Sequence, residues 1–190
     1  MPIEIEKKYR LTKKQRAELL RRLHTIGAKP KAEEFEENTL YSGEGIVFGQ
    51  SVLRLRRVGK RAILTYKERF PSTSSIKHQQ EDETEVSDAD ATDAILQGLG
   101  YKPALVYEKR RSIWCLGDAE VDVDELPFGL FMEIEAKTDE IVRIEKLLSM
   151  KGLQAEMETY PGLTLKHGSR DGDVVVARFP LARKSSRKRR

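Results

Sequence analysis

The chain has 190 residues, 38% hydrophobic and 35% charged, enough for a buried core in one domain but unusually ionic. Its formal charge of +4 is local: Arg183–Arg190 carries six bases and no acid, and without it 29 basic residues meet 31 acidic ones. The single cysteine excludes an internal disulfide, no stretch approaches the roughly 18 apolar residues of a membrane span, and no apolar segment marks a secretory signal, so a cytoplasmic protein without a membrane partner is expected.

In chain order, Ile3 to Tyr9 alternates with period two and reads as a strand. A helix follows from Thr12 to Ile26, capped by Thr12, with Ala17, Leu20, Leu23 and Ile26 near helical spacing and Gly27 as its stop. Strand patterns resume at Glu33–Tyr41, Ser51–Val58, Arg61–Arg69 and Gln79–Val86. The pair Gly59-Lys60 reads as a tight turn, whereas Pro71 to Ser75 lacks periodicity and is expected to be a mobile loop. A second helix starts near Ser87 or Asp88, turns Ala91, Ile95 and Leu99 inward, and stops at Gly100. Strands follow at Leu105–Leu116, Glu120–Leu126 and Phe131–Lys137, then a helix from Thr138 through Ile141, Ile144 and Leu148 to a stop at Gly152. A last strand is expected over Leu153–Tyr160. The folded unit is assigned to 1–180, and 181–190 to a disordered basic tail. Short turns between successive strands favour an antiparallel sheet.

The alternating positions are ionic, and they come in same-sign pairs. Glu4 and Glu6 share a face with Lys8; Arg54 and Arg56 share another; Glu83 and Glu85, Lys109 and Arg111, Asp122 and Asp124, and Glu133 and Glu135 repeat the pattern. Two carboxylates at i and i+2 of a strand stand about 6.5–7 Å apart at the backbone. They repel unless solvent or a counter-ion neutralises them. Any one such pair is ordinary on a solvated sheet face; recurrence across six strands is not. Hard oxygen donors select Mg²⁺ or Mn²⁺ (or Ca²⁺) over zinc, and guanidinium forks with lysines hold phosphate oxygens. Acid and base clusters in one sheet suit a metal–polyphosphate substrate.

The opening Glu4-Ile5-Glu6-Lys7-Lys8 resembles the ExExK signature of the CYTH family, the triphosphate tunnel metalloenzymes, which include class IV adenylyl cyclases, thiamine triphosphatases and inorganic triphosphatases. Leu53-Arg54-Leu55-Arg56, Leu64-Thr65-Tyr66-Lys67, Glu83-Thr84-Glu85, Glu108-Lys109-Arg110-Arg111, Val121-Asp122-Val123-Asp124-Glu125 and Glu133-Ile134-Glu135 follow in the family's order, over about residues 1–165. The resemblance implies an α+β fold: an eight-stranded antiparallel closed β-barrel, or tunnel, with helices packed outside. It implies Glu4, Glu6, Glu133 and Glu135 as main metal ligands, Glu83 and Glu85 completing the acidic side, and either Asp122 or Asp124 as a further ligand. Lys8, Arg54, Arg56, Lys67, Lys109 and Arg111 would bind triphosphate oxygens, and Glu4, Glu6 and Lys8 would carry the catalysis.

Other residues read more plainly. His24, His78 and His167 are scattered without zinc-ligand spacing, and Cys115 beside Trp114 reads as a packed thiol. Tyr160 with Pro161 resembles a family segment near the tunnel's end, an aromatic at a strand end being usually packing; Lys166 reads as solvated. Gly43, Gly45 and Gly49 bracket a turn, because no Gly-Lys-Ser or Gly-Lys-Thr follows them. The expected activity is hydrolysis of tripolyphosphate or a nucleoside or other organic triphosphate with Mg²⁺ or Mn²⁺. The rivals are adenylyl cyclisation of ATP, towards which Leu126-Pro127-Phe128-Gly129 leans, and a non-catalytic polyphosphate-binding module. Nucleic acid is expected only weakly, through the basic tail, and a homodimer is left open.

Overall fold

The computed structural model describes residues 3–71 and 74–180. The centre of the loop expected at 71–75 and the whole basic tail lie outside the described residues. No helix among those described is long and apolar enough to cross a membrane.

The elements run β1 (Ile3–Leu11), α1 (Lys13–Thr25), β2 (Lys29–Ser42), β3 (Ser51–Val58), β4 (Arg61–Arg69), β5 (Ile76–Val86), α2 (Ala89–Gly98), β6 (Lys102–Leu116), β7 (Ala119–Leu126), β8 (Gly129–Glu135), α3 (Thr138–Leu148), β9 (Gln154–Ala155), α4 (Tyr160–His167), β10 (Ser169–Asp171) and β11 (Val174–Ala177). Consecutive β2 to β5 pair as antiparallel neighbours, β5 pairs with β1, β1 with β8, β8 with β7, β7 with β6, and β6 returns to β2. The circuit closes on itself. It is the eight-stranded antiparallel barrel that the resemblance implied, with its four helices outside, and closure leaves the circuit without a free edge.

Local chemistry sets the joints. Thr12 caps α1 by accepting from Gln15 N, and Gln15 reaches back to the Thr12 amide, a full capping box. Asp88 caps α2 through the amides of Asp90 and Ala91. Gly59 takes φ 58° in the two-residue turn between β3 and β4, a conformation that a side chain resists.

Because the barrel interior is charged, the apolar core lies on its outer wall. Leu19 and Leu23 of α1 and Ile141, Ile144 and Leu148 of α3 pack against Tyr9, Leu11, Val121, Val123, Met132 and Ile134. Each such fully buried aliphatic side chain contributes about 1.5–3 kcal/mol. The strands therefore sort their residues: apolar outward beneath helices, ionic inward.

Three readings need correction. In α2 it is Leu96 that turns inward, packing near Tyr41, Leu55 and Ala62, while Ile95 and Leu99 are 61% and 70% exposed. Spacing alone selected the wrong stripe, because Tyr41 donates its hydroxyl to Asp93 and so fixes which face meets the sheet. The third helix stops at Ser149 (φ 45°), three residues before Gly152. The strand expected over Leu153–Tyr160 is reduced to Gln154–Ala155, and Tyr160 instead opens α4, behind the N-cap Thr159 and with Pro161 in its first turn. Beyond it, β11 adds to β6 in parallel, an element the sequence reading lacked.

The α4 helix matters for the site. Its Tyr160 and Leu163 pack with Leu40, Leu105, Tyr107 and Phe131, whose strand register places them on the same face as the interior charges. An apolar plug thus closes over one end of the charged interior.

Candidate active site

A cavity of about 440 Å³ runs inside the barrel, lined by Glu4, Glu6 and Lys8 of β1, Arg54 and Arg56 of β3, Lys67 and Arg69 of β4, Gln79, Glu81 and Glu83 of β5, Lys109 and Arg111 of β6, Glu120 of β7, and Glu133 and Glu135 of β8. The register explains the assembly. Glu6 opposes Glu135 and Lys8 opposes Glu133 across β1 and β8, while Glu120 opposes Glu135 across β7 and β8. Side chains with the same parity on neighbouring strands must share a face.

On one side lies the basic group. The Glu36 carboxylate, fully buried, sits 3.3 Å from Lys109, 3.7 Å from Arg56 and 4.0 Å from Arg111. Burial opposes its charge, yet Lys109, Arg56, Arg111 and Arg54 outweigh that and hold its carboxyl well below the ordinary range. Arg54 donates to Thr65 at 3.2 Å, and Thr65 donates to Glu83 at 3.0 Å. Arg111 is gripped by Asp124 through two hydrogen bonds of 2.8 and 2.6 Å, by Glu133 at 2.5 Å and by Asp122. Its guanidinium is buried but remains charged, since these carboxylates more than offset its desolvation.

The other side is acidic. Glu4 accepts from Lys67 and from Gln79, each at 2.7 Å, and Lys67 also reaches Glu81 at 2.7 Å. Burial disfavours the Glu4 charge, but Glu81, Lys67 and Gln79 prevail and its carboxyl falls to about 2. Burial and the neighbouring Glu4 push Glu81 the other way, up to about 8. Burial, then Glu4 and Glu120, raise Glu135 to about 7. Among the described residues Glu6 forms an ion pair with Lys77, at 3.7 Å.

The sequence-derived residues divide accordingly. Glu4, Glu6, Lys8, Arg54, Arg56, Lys67, Glu83, Lys109, Arg111, Glu133 and Glu135 all line the cavity. Glu83 does so among the arginines rather than on the acidic side, 3.6 Å from Arg54. Glu85 has the right parity but is exposed at the end of β5 and does not line the cavity. Asp122 and Asp124 stand behind Arg111, outside the lining. Burial, together with Asp124 and Glu133, raises the Asp122 carboxyl well above its usual range.

Several lining or supporting residues, Gln79 among them, escaped the sequence reading or were read differently. Glu81 and Glu120 merely extend alternations already noticed, one step before Glu83 and one before Asp122. Arg69 likewise continues Thr65 and Lys67. Glu36 sits in the run Glu33-Glu34-Phe35-Glu36-Glu37, where acids occupy both faces and period two selects nothing. Tyr160, read as packing, also donates its hydroxyl to Asp124 at 2.7 Å, and the Lys8 ammonium lies 3.8 Å from its ring centroid.

The donor chemistry suits a hard divalent cation: Glu4, Glu6, Glu120, Glu133 and Glu135 offer only oxygens, and the raised proton affinity of Glu135 marks a place short of positive charge. Among the described residues no three His, Cys, Asp or Glu side chains already converge at cation-binding distance, because Glu4 and Glu133 are engaged by Lys67 and Lys8.

The PH1012 protein from Pyrococcus horikoshii is similar at 25% identity and a TM-score of 0.72, over 83% of this chain and 96% of that one. The PH1819 protein from the same organism matches at 26% identity and 0.69, over 86% and 98%. The adenylyl cyclase candidate HpAC1 from Hippeastrum, described as having a dominant triphosphatase activity, shares the fold at 19% identity and 0.60, over 82% and 90%. No curated protein sequence matches the chain. The CYTH domain model matches residues 2–160, the span that builds the whole barrel, and the chain belongs to the CYTH family.

Proposed function

We propose that the protein is a divalent-metal-dependent hydrolase of triphosphates, acting on tripolyphosphate or a nucleoside triphosphate inside the barrel. One observation carries this reading: a single cavity inside the barrel is lined both by Arg54, Arg56, Lys109 and Arg111 and by Glu4, Glu6, Glu120 and Glu135. Its volume of about 440 Å³ is that of a small-molecule site. HpAC1, described as having a dominant triphosphatase activity, shares this fold, and hydrolysis is the reading adopted for this chain.

Glu4, Glu6, Glu133 and Glu135 would hold Mg²⁺ or Mn²⁺, with Glu120 beside them. Such an ion supplies phosphate charge neutralisation and a more acidic water. The chain's own part is electrostatic. Arg54, Arg56, Lys109 and Arg111 bind the phosphate oxygens, and Glu36 and Asp124 fix those cations in place so that little reorganisation accompanies the reaction. Lys8, over the Tyr160 ring, and Lys67 complete the cationic lining. Tyr160 of α4 lines the cavity at that end.

The test is product analysis. Tripolyphosphate and ATP are incubated with the protein and Mg²⁺ or Mn²⁺, and the products are resolved. Orthophosphate released only with metal supports the reading. Cyclic AMP with pyrophosphate would replace it by a cyclase, and tight tripolyphosphate binding without turnover under either metal would reduce it to a binding module.

A further inference from the structure

Two interior cations lie outside the set assigned to the triphosphate. Arg69 ends β4 opposite Gln79, and Lys77 lies two residues before Gln79 on the same face of β5. Arg69 lines the main cavity and also a second one, of about 430 Å³, whose wall includes Lys77, Phe70 and Met157. Thr159, the N-cap of α4, belongs to both cavities. The second cavity therefore meets the first beside the plug, with Arg69 at the junction and Lys77 beyond it.

Both cations are short of partners. Arg69 Nε and Lys77 Nζ are buried without a hydrogen-bond acceptor. Arg69 spends one terminal nitrogen on the Gly49 carbonyl at 3.2 Å, and no ion pair among the described residues involves it. Lys77 has Glu6 at 3.7 Å. Arg111, by contrast, is held by Asp122, Asp124 and Glu133 together. Buried donors left unmet are costly, and ordered water, an ion or a ligand is what meets them. A guanidinium and an ammonium side by side are met at once by the several oxygens of a phosphate.

We propose that Arg69 and Lys77 form a further anion subsite that takes a fourth phosphate, extending a chain whose first three occupy the main cavity. The proposal rests on the triphosphate reading of that cavity. The ligand class is a polyphosphate longer than three units, inorganic or attached to a nucleoside.

Isothermal titration in metal-free buffer, where no turnover intervenes, compares tripolyphosphate, tetrapolyphosphate, ATP and adenosine 5′-tetraphosphate on the full chain and on Lys77→Met and Arg69→Met. The full chain is expected to bind tetrapolyphosphate roughly tenfold more tightly than tripolyphosphate, the effect of one or two charge-assisted hydrogen bonds. Each variant should lose most of that gain while holding tripolyphosphate within about threefold, and a single cooperative thermal melt without ligand, close to the parent's, shows that it folds. A similar gain for adenosine 5′-tetraphosphate over ATP assigns the fourth phosphate to nucleotides as well; its absence restricts it to the inorganic chain. Equal affinity of the full chain for three and four phosphates overturns the subsite and leaves the main cavity's reading intact. Variants that weaken both ligands alike make these residues part of the triphosphate site and overturn it too. If tripolyphosphate binds only once a divalent cation is supplied, the same comparison is made with Ca²⁺; its failure to bind there as well removes both readings.

Discussion

The Tyr160 hydroxyl donates to Asp124 Oδ2 at 2.7 Å, which joins the first residue of α4 to the carboxylate that grips Arg111. Helix, carboxylate and guanidinium form one connected unit, so the plug at the barrel's end and a cavity-lining cation share a support. Tyr160→Phe keeps the ring beneath Lys8 and removes only this bond. A loss of about 1–2 kcal/mol in stability is expected, with a KM for the triphosphate raised several-fold and kcat less affected. Urea unfolding and steady-state kinetics check both; an unchanged KM would make the bond purely structural.

Glu4 and Glu6 should differ in stability and agree in activity. Glu6→Gln loses only the 3.7 Å approach of Lys77 and relieves crowding near Glu135, so its melting temperature without metal should match the parent's. Glu4→Gln disturbs the 2.7 Å contacts with Lys67 and Gln79 and should cost about 1–3 kcal/mol. Both should lower metal-dependent turnover by at least about a hundredfold, as expected for a lost ligand or its close support. Melts in EDTA and initial rates in Mg²⁺ or Mn²⁺ measure this. Retained turnover in both would remove β1 from the chemistry.

Arg56 lies among the cavity's cations without being gripped as Arg111 is, its nearest carboxylate being Glu36 at 3.7 Å. Arg56→Ala should therefore act mainly on the ligand, weakening tripolyphosphate about tenfold to a hundredfold through lost charge-assisted contacts. Calorimetric titration reads it.

Glu36 is a counter-ion with no path to solvent, and replacing it leaves Arg56, Lys109 and Arg111 less neutralised. Glu36→Gln is expected to cost about 3–5 kcal/mol, the usual result of breaking a buried ionic cluster. The same residue gives a pH dependence. Its carboxyl is depressed in the folded state, so its stabilisation is present above the ordinary value of 4.5 and is lost as pH falls below it towards the folded value. Unfolding free energy of the parent should drop steeply below about pH 4.5, more so than that of Glu36→Gln. Parallel acid profiles for the two proteins would contradict the assignment.

Much of this architecture was legible because a barrel with a charged inside writes its inside and outside into alternate letters. Val121, Val123 and Ile134 point to the helices, while Glu133 and Glu135 point to the cavity. The β3 and β4 boundaries agreed residue for residue, since the Gly59 turn fixes both. What alternation cannot convey is depth along the axis. Glu83 and Glu85 have equal parity, but only Glu83 lies level with Arg54 and Thr65; Asp122 and Asp124 are set behind Arg111 by cross-strand neighbours that a single strand does not reveal. The C-terminal plug was invisible for a different reason. Tyr160 is at once the first residue of a short helix and a long-range partner of Asp124, and only the second gives it a chemical role.

The position of β1 between β5 and β8 bears on how the protein matures. The segment carrying Glu4, Glu6 and Lys8 is made first, yet its second neighbour is complete only once Glu135 has been synthesised. Residues far apart in sequence must find each other late, a slow kind of step. A nascent or truncated chain ending before β8 would hold its acidic residues without a cavity to put them in. The cavity would then be completed in a single event, when β8 joins β1 and the ring closes.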